Sequence, residues 1–237
     1  MKKQFISGLF IISMLSLLFI SCLYGIKGNG KVIKVERHVD AFESVSVSAG
    51  LELILIQDSV SKIVVEADDN LQDIIKTEVS NGELKIHPEK RISSASAKRI
   101  FVSFKTIRSL TASSGSEIKS KMTLKLQSLD LSVSSGADVD LDLAVSELSL
   151  DGSSGGRIKL SGSAQNLDVD GSSGVDIRAS DLQAVTCNAG ASSGANLKVA
   201  VSEKIIAKAS SGGQIKVNGN PKERNIEKSS GGDVSFK

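Results

Sequence analysis

Seven Ser-Ser-Gly triplets punctuate the second half of this chain at a nearly constant interval. Their glycines are Gly115, Gly136, Gly155, Gly174, Gly194, Gly212 and Gly231, separated by 21, 19, 19, 20, 18 and 19 residues. A period near 19–20 is too long for a heptad and falls among solenoid repeats. In such a stack each repeat packs only on its neighbours, so the chain builds a rod instead of a globule.

Alignment on the glycine exposes the strands. Three residues after it stand Ile118, Val139, Ile158, Ile177, Leu197, Ile215 and Val234, all aliphatic. Upstream, alternation recurs as Leu129-Leu131-Val133, Leu148-Leu150-Gly152, Leu167-Val169-Gly171 and Ile205-Ala207-Ala209, with x between each pair. Period 2 in Val, Ile and Leu is a strand signal, and no helical period competes with it. The fold class expected is all-β, a β-solenoid with about 19–20 residues per coil. Coils stack about 4.8 Å apart, so seven make a rod roughly 30 Å long. Small residues three before the glycine (Ala112, Val133, Gly152, Gly171, Ala191, Ala209) suit a tight inner corner, and Lys228 breaks that column at a solvated end.

The turn ladder itself is Ser114-Gly115, Ser135-Gly136, Ser154-Gly155, Ser173-Gly174, Ser193-Gly194, Ser211-Gly212 and Ser230-Gly231. Glycine reaches positive φ without steric cost. Serine hydroxyls satisfy turn backbone and can bond to serines in adjacent coils, so the ladder is expected to be structural. A nucleophilic serine needs a base beside it, and the only histidines, His38 and His87, precede the repeats. No catalytic residue is assigned. The outward column two after each glycine runs Glu117, Asp138, Arg157, Asp176, Asn196, Gln214 and Asp233. Asp138 and Asp176 make its best carboxylate pair, but they stand two coils, roughly 9.6 Å, apart with Arg157 between. No regular Asp column or Cys/His cluster calls for calcium or zinc, and no cofactor is expected.

Residues 1–21 read as a lipoprotein signal peptide: Lys2 and Lys3, an apolar run from Phe5 to Ile20, then Ser21 directly before Cys22. Cys22 is the expected lipidated first residue, which makes the membrane a partner through that anchor. Cys187 then stands alone, seven before Gly194 in the column of Leu129, Leu148, Leu167 and Ile205, as a small buried hydrophobe. Removing residues 1–21 takes away two lysines and no acid, leaving 27 basic and 27 acidic side chains. A formally neutral chain gives no electrostatic case for nucleic acid. Residues 22–40 read as anchor, tether and lead-in strand, and 41–237 as one domain, with irregular first coils and a cap over 41–110 and the repeats over 111–237. Asn81-Gly82 signals a two-residue hairpin turn, and Asp69-Asn70 a capped helical turn.

The strings Gly28-Asn29-Gly30, Arg37-His38-Val39-Asp40-Ala41-Phe42, Val64-Val65-Glu66-Ala67-Asp68-Asp69-Asn70-Leu71, Thr77-Glu78-Val79 and Asn81-Gly82-Glu83-Leu84-Lys85-Ile86 resemble the auto-transporter adhesin head GIN domain family. The resemblance spans about residues 28–237 and implies a right-handed parallel β-helix in a lipoprotein of the Bacteroidetes type, with no catalytic residues to carry over. In such lipoproteins an acidic stretch after the cysteine resembles a surface-export tag. Here Leu23-Tyr24-Gly25-Ile26-Lys27 follows, which points to the outer membrane and its periplasmic leaflet, with surface exposure left open. The function expected is a non-enzymatic adhesin-like or scaffold rod that binds a protein or glycan through a lateral face, self-association remaining open. The alternative is a carbohydrate-binding or carbohydrate-active β-helix. Against it, the chain has no Trp, its single Tyr is Tyr24, and the repeats contain only Phe236.

Overall fold

A computed structural model describes residues 25–237. Nineteen strands follow one another: β1 (Ile26–Lys27), β2 (Val32–Arg37), β3 (Ser44–Val47), β4 (Glu52–Gln57), β5 (Lys62–Asp68), β6 (Ile75–Ser80), β7 (Glu83–Pro88), β8 (Ile92–Ser94), β9 (Lys98–Phe104) and β10 (Ser109–Ala112). The repeats supply β11 (Glu117–Ser120), β12 (Leu124–Val133), β13 (Asp138–Gly152), β14 (Arg157–Gly171), β15 (Asp176–Ala191), β16 (Asn196–Ala209), β17 (Gln214–Asn218), β18 (Glu223–Lys228) and β19 (Asp233–Phe236). From β10 onward every pairing is parallel and joins a coil to the next. The result is a β-solenoid of about seven turns.

Register follows the period. Ile158 lies against Val139 and Ile177, and Ile177 against Leu197, so equivalent side chains stack in columns. The aliphatic column after each glycine is buried from Ile118 to Val234. Burying one such side chain is worth about 1.5–3 kcal/mol, and only stacking supplies the second surface each coil needs. Inward alternation runs from Val139 to Val145, slips at Ser146-Glu147 and resumes at Leu148. That slip marks a corner distinct from the Ser-Ser-Gly turn.

The turns have a geometry that glycine alone does not make. In all seven, the second serine also has positive φ, between 46° and 53°, followed by the glycine between 67° and 76°. Both residues are left-handed, which aims the serine carbonyl along the rod axis. The N–H of Gly115 donates to the carbonyl of Ser135 (3.0 Å), Gly136 to Ser154 (3.1 Å) and Gly155 to Ser173 (3.2 Å). The ladder is therefore a backbone ladder, and no hydroxyl of its fourteen serines makes a hydrogen bond among the described residues. An eighth turn of the same kind sits at Ala49-Gly50 (φ 57° and 71°), where the Gly50 N–H reaches the Ser114 carbonyl at 3.0 Å.

The residue just after the glycine points inward as well in the first six turns. Ser116, Ala137, Gly156, Val175, Ala195 and Gly213 are buried, and sizes complement across the tight corner. A Cβ at Gly152 would stand 2.8 Å from Val175, and one at Gly156 would stand 3.2 Å from Val133. Large thus faces small from coil to coil, which keeps density high at a corner too narrow for two branched residues.

Antiparallel strands close the N-terminal end. β4 is continued by β9, then β5, then β2, and β3 by the β6–β7 hairpin. The hairpin turns at Asn81-Gly82, both at positive φ. Around Asp69 the expectation needs correcting. Residues Asp69–Leu71 form one 3-10 turn, and neither Asp69 nor Asn70 caps it through a side chain. Instead Asn70 accepts from the Asn29 N–H and donates to the Lys27 carbonyl, both at 2.9 Å. Beside it, buried Asp68 accepts backbone N–H bonds from Gly30 (2.8 Å), Ser96 (3.0 Å) and Ala97 (3.0 Å). Burial pushes its carboxyl upward, but those bonds outweigh it and hold the pKa below the ordinary value. A Cβ at Gly28 would collide with this carboxylate, which explains why Gly-Asn-Gly occupies the crossing. At the other end Lys228 is exposed and pairs with Asp233 at 2.8 Å.

A candidate binding face on the side of the rod

Two outward faces flank the Ser-Ser-Gly ridge, and their electrostatics differ. On strands that follow the turn, the acids from Glu52 to Asp176 are answered within the fold, while Lys198 and Lys216 further along carry no ion pair among the described residues. Arg157 grips Asp138 through two bonds (2.6 and 2.9 Å), Lys159 meets Asp140 (3.3 Å), Arg178 meets Asp176 (2.7 Å), and Lys119 meets both Glu117 (2.7 Å) and Glu52 (3.7 Å). The Arg157 guanidinium holds the Asp138 carboxyl below its usual range. Asp138 and Asp176 line one hollow of about 400 Å³ on this face, but each is bound to an arginine and Arg157 stands between them.

On strands that precede the turn, from the Gly136 turn onward, the side chains eight, six and four residues before the glycine point outward. They bring Asp130, Glu147, Asp151, Asp168 and Asp170 onto one surface. Among the described residues none of these five makes a salt bridge. Asn166 donates to Glu147 (2.7 Å) and Asn188 to Asp168 (3.0 Å), which orients two of them without neutralising either. Asp151 and Asp170 lie side by side in register. Burial and then its neighbours Asp168 and Asp151 push the Asp170 carboxyl above its ordinary value. Two coils further on, Lys204 and Lys208 share the face, but Glu223 and Glu227 already hold them, each at 3.2 Å.

This surface is concave. A groove of about 720 Å³ runs between the turn ridge and the carboxylates, lined by Asp151, Asp170, Asn188, Lys208 and the ridge serines Ser153 and Ser172. A second hollow of about 370 Å³ adjoins it at Asn188 and includes Asp130, Glu147 and Asp168. Together they span five coils, with Gly152, Gly171 and Ala191 in the lining instead of bulk.

The residues singled out by sequence distribute as follows. Cys22 and the leader lie outside the described residues. The ladder serines and glycines from Ser114 to Gly231 form the exposed ridge, structural in their backbone bonds. His38 borders a shallow hollow in the cap, and His87 sits opposite Lys76 on the hairpin. Cys187 is buried in register with Leu167 and Ile205, its thiol pushed up to about 12 by burial and by Asp168. Among the described residues no three His, Cys, Asp or Glu are placed to hold a metal ion. The carboxylate face escaped the sequence reading because only the columns after the glycine were compared for charge. A signal was present: no Lys or Arg occurs from residue 126 to 156, a stretch holding six acids.

Known structures share the whole rod. A protein of Bacteroides fragilis described as a putative adhesin superposes with a TM-score of 0.83 at 20% identity, covering 90% of this chain and 100% of its own. A Parabacteroides merdae protein, also described as a putative adhesin, gives 0.62 at 20% identity, covering 90% and 98%. A Parabacteroides distasonis protein described as a putative lipid binding protein gives 0.61 at 19%, covering 90% and 99%. At such identities the likeness establishes the fold alone. No curated protein matches the chain significantly. Residues 41–221 match the family model described as "Putative auto-transporter adhesin, head GIN domain", and the chain belongs to that family.

Proposed function

We propose that this protein is a non-enzymatic cell-envelope lipoprotein, anchored through Cys22 at the periplasmic leaflet of the outer membrane, whose rod binds a partner along the carboxylate face. One observation carries the reading. Five carboxylates over a groove have no ion pair among the described residues, while Glu52, Glu117, Asp138, Asp140 and Asp176 on the adjacent face are all paired. A fold that neutralises one ladder of charge and leaves the next open presents that second ladder outward, and its complement is a partner carrying Lys or Arg side chains. The family's adhesin label fits a binding rod, and among the described residues no ladder serine hydroxyl is hydrogen-bonded to a carboxylate or imidazole that would activate it.

The carbohydrate reading keeps one observation in its favour: Ser, Asp and Asn side chains line the groove and suit sugar hydroxyls. No aromatic ring lines either hollow to stack on a sugar face. An oligolysine peptide serves as the probe. Each exposed ion pair is worth about 0.2–1 kcal/mol, so Asp151→Asn, Asp168→Asn and Asp170→Asn together should weaken peptide binding about tenfold at low salt. Asp138→Asn with Asp140→Asn should leave it unchanged. Equal loss in both sets, or binding of a neutral oligosaccharide in preference to the peptide, would reject the assignment.

A further inference from the structure

The cap has a basic edge at the place where the chain enters the fold. β1 pairs with β8, Ile26 opposite Ile92 and Lys27 opposite Ser94. The Ile26 N–H donates to the Arg91 carbonyl and the Gly28 N–H to the Ser94 carbonyl, both at 2.8 Å. Ile26 and Ile92 pack on the core while Lys27, Lys90 and Arg91 are exposed beside them. The nearby acids are already engaged: Glu89 by Lys76 at 3.5 Å, Asp69 by Lys31 at 3.3 Å, and Asp68 by backbone N–H groups. Lys27 and Lys90 are in no salt bridge among the described residues.

Covalent geometry fixes how far this edge can be from an anchor at Cys22. Cys22 and Gly25 are three chain steps apart, and extended chain spans at most about 3.6 Å per step, so the gap is no more than about 11 Å. Gly25 is itself pinned, with Ser93 donating to its carbonyl at 3.3 Å. The Asp68 and Asn70 bonds to residues 27–30 then lock the entry segment to the cap. Little slack remains between lipid and rod.

The geometry points to a second membrane contact: the β1–β8 edge docks on the anionic headgroups of the lipid leaflet that holds the anchor, through Lys27 and Lys90. This rests on the lipid-anchor reading above. Charge complementarity supports it from both ends of the molecule. The basic edge lies within reach of the bilayer, while Asp168 and Asp170 belong to the third coil below β10, at least roughly 14 Å along the stack. That exceeds a Debye length of about 8 Å at physiological ionic strength. Docking on one edge would fix the rod's attitude and hold the carboxylate face clear of like-charged lipid.

The test uses the full chain extracted from its membrane and reconstituted in vesicles, either pure phosphatidylcholine or three parts of it to one of phosphatidylglycerol. Mass spectrometry of the N-terminal peptide reads the lipid on Cys22 in the same preparation. A fluorophore on Ser94→Cys, with one on Ser235→Cys as control, is read by quenching from nitroxide headgroups; buried Cys187 does not compete for the label. Each basic residue near an anionic surface shifts the docked ratio about fivefold. Lys27→Gln with Lys90→Gln should therefore lower docking about 25-fold, and pure phosphatidylcholine should lower the Ser94 signal likewise. Lipid present with quenching indifferent to both changes overturns the docking and leaves the anchor standing. Absence of lipid on Cys22 overturns the anchor, and the docking with it.

Discussion

Replacing Ser154 by Gly should stabilise this protein, and replacing the adjacent Gly155 by Ala should destabilise it. Both residues sit at positive φ, 50° and 71°. A Cβ at Gly155 would meet nothing within 4 Å, so space does not decide the outcome and backbone strain does. The left-handed conformation costs an L-residue about 1–2 kcal/mol. Glycine avoids that strain but loses about 0.5–1 kcal/mol more conformational entropy on folding. Ser154→Gly should thus gain about 0.5–1 kcal/mol and Gly155→Ala lose a similar amount. For a chain of this size each kcal/mol moves the melting temperature by about 2–4 °C. Equilibrium urea unfolding of both variants, followed by far-ultraviolet circular dichroism, reads the difference. The reasoning depends on the ladder being held by backbone bonds such as Gly155 N–H to Ser173. If Ser154→Gly lost 1 kcal/mol or more, the hydroxyl would be carrying stability that the structure assigns to the backbone.

Two further outcomes rest on the geometry and a third on the sequence of the leader. Ile177→Asp, at a position with no exposed surface, buries an unpaired charge and should cost several kcal/mol, whereas Asp140→Asn, half of an exposed pair with Lys159, should shift stability by less than about 0.5 kcal/mol; similar melts would invert the inside–outside assignment. Asp68 has a folded pKa below its unfolded value, so its stabilisation is complete above about pH 3.9 and is lost as pH falls through the lower folded pKa; Asp68→Asn should flatten acid unfolding in that window, and an unchanged acid limb would refute the clasp. Cys22→Ser should leave uncleaved precursor without fatty-acid label, and normal processing in that variant would end the anchor reading.

The architecture was legible because the repeat obeys two periods at once. The interval between glycines announces a stack, and alternation within it places Ile158, Ile177 and Leu197 inside. Less was visible at the turn. Serine is an ordinary turn residue, and nothing in Ser-Ser-Gly says that the second serine shares the glycine's left-handed backbone. Ser48-Ala49-Gly50 makes the same turn with alanine in place of the second serine, which hid the eighth rung from a search for Ser-Ser-Gly. Asp69-Asn70 read as a helix start because Asp-Asn before an apolar residue is a local capping signal, and that reading gave no role to the neighbouring Asp68. The partners of Asp68, Gly30, Ser96 and Ala97, are 38, 28 and 29 residues away. The carboxylate face is a property of columns, so it appears only when residues 19 or 20 apart are read side by side, as Asp151 with Asp170.

The central claim is that the open carboxylate face, and neither the serine ridge nor the ion-paired face, meets the partner. Photo-crosslinking in intact cells tests it most directly. A crosslinking residue is placed in turn at Asn188 in the groove, at Ser173 on the ridge and at Lys159 on the paired face. The account predicts adducts from position 188 that disappear when Asp151, Asp168 and Asp170 are all changed to Asn. Adducts from position 159 or 173 with none from 188, or adducts at 188 that survive the triple change, would contradict it.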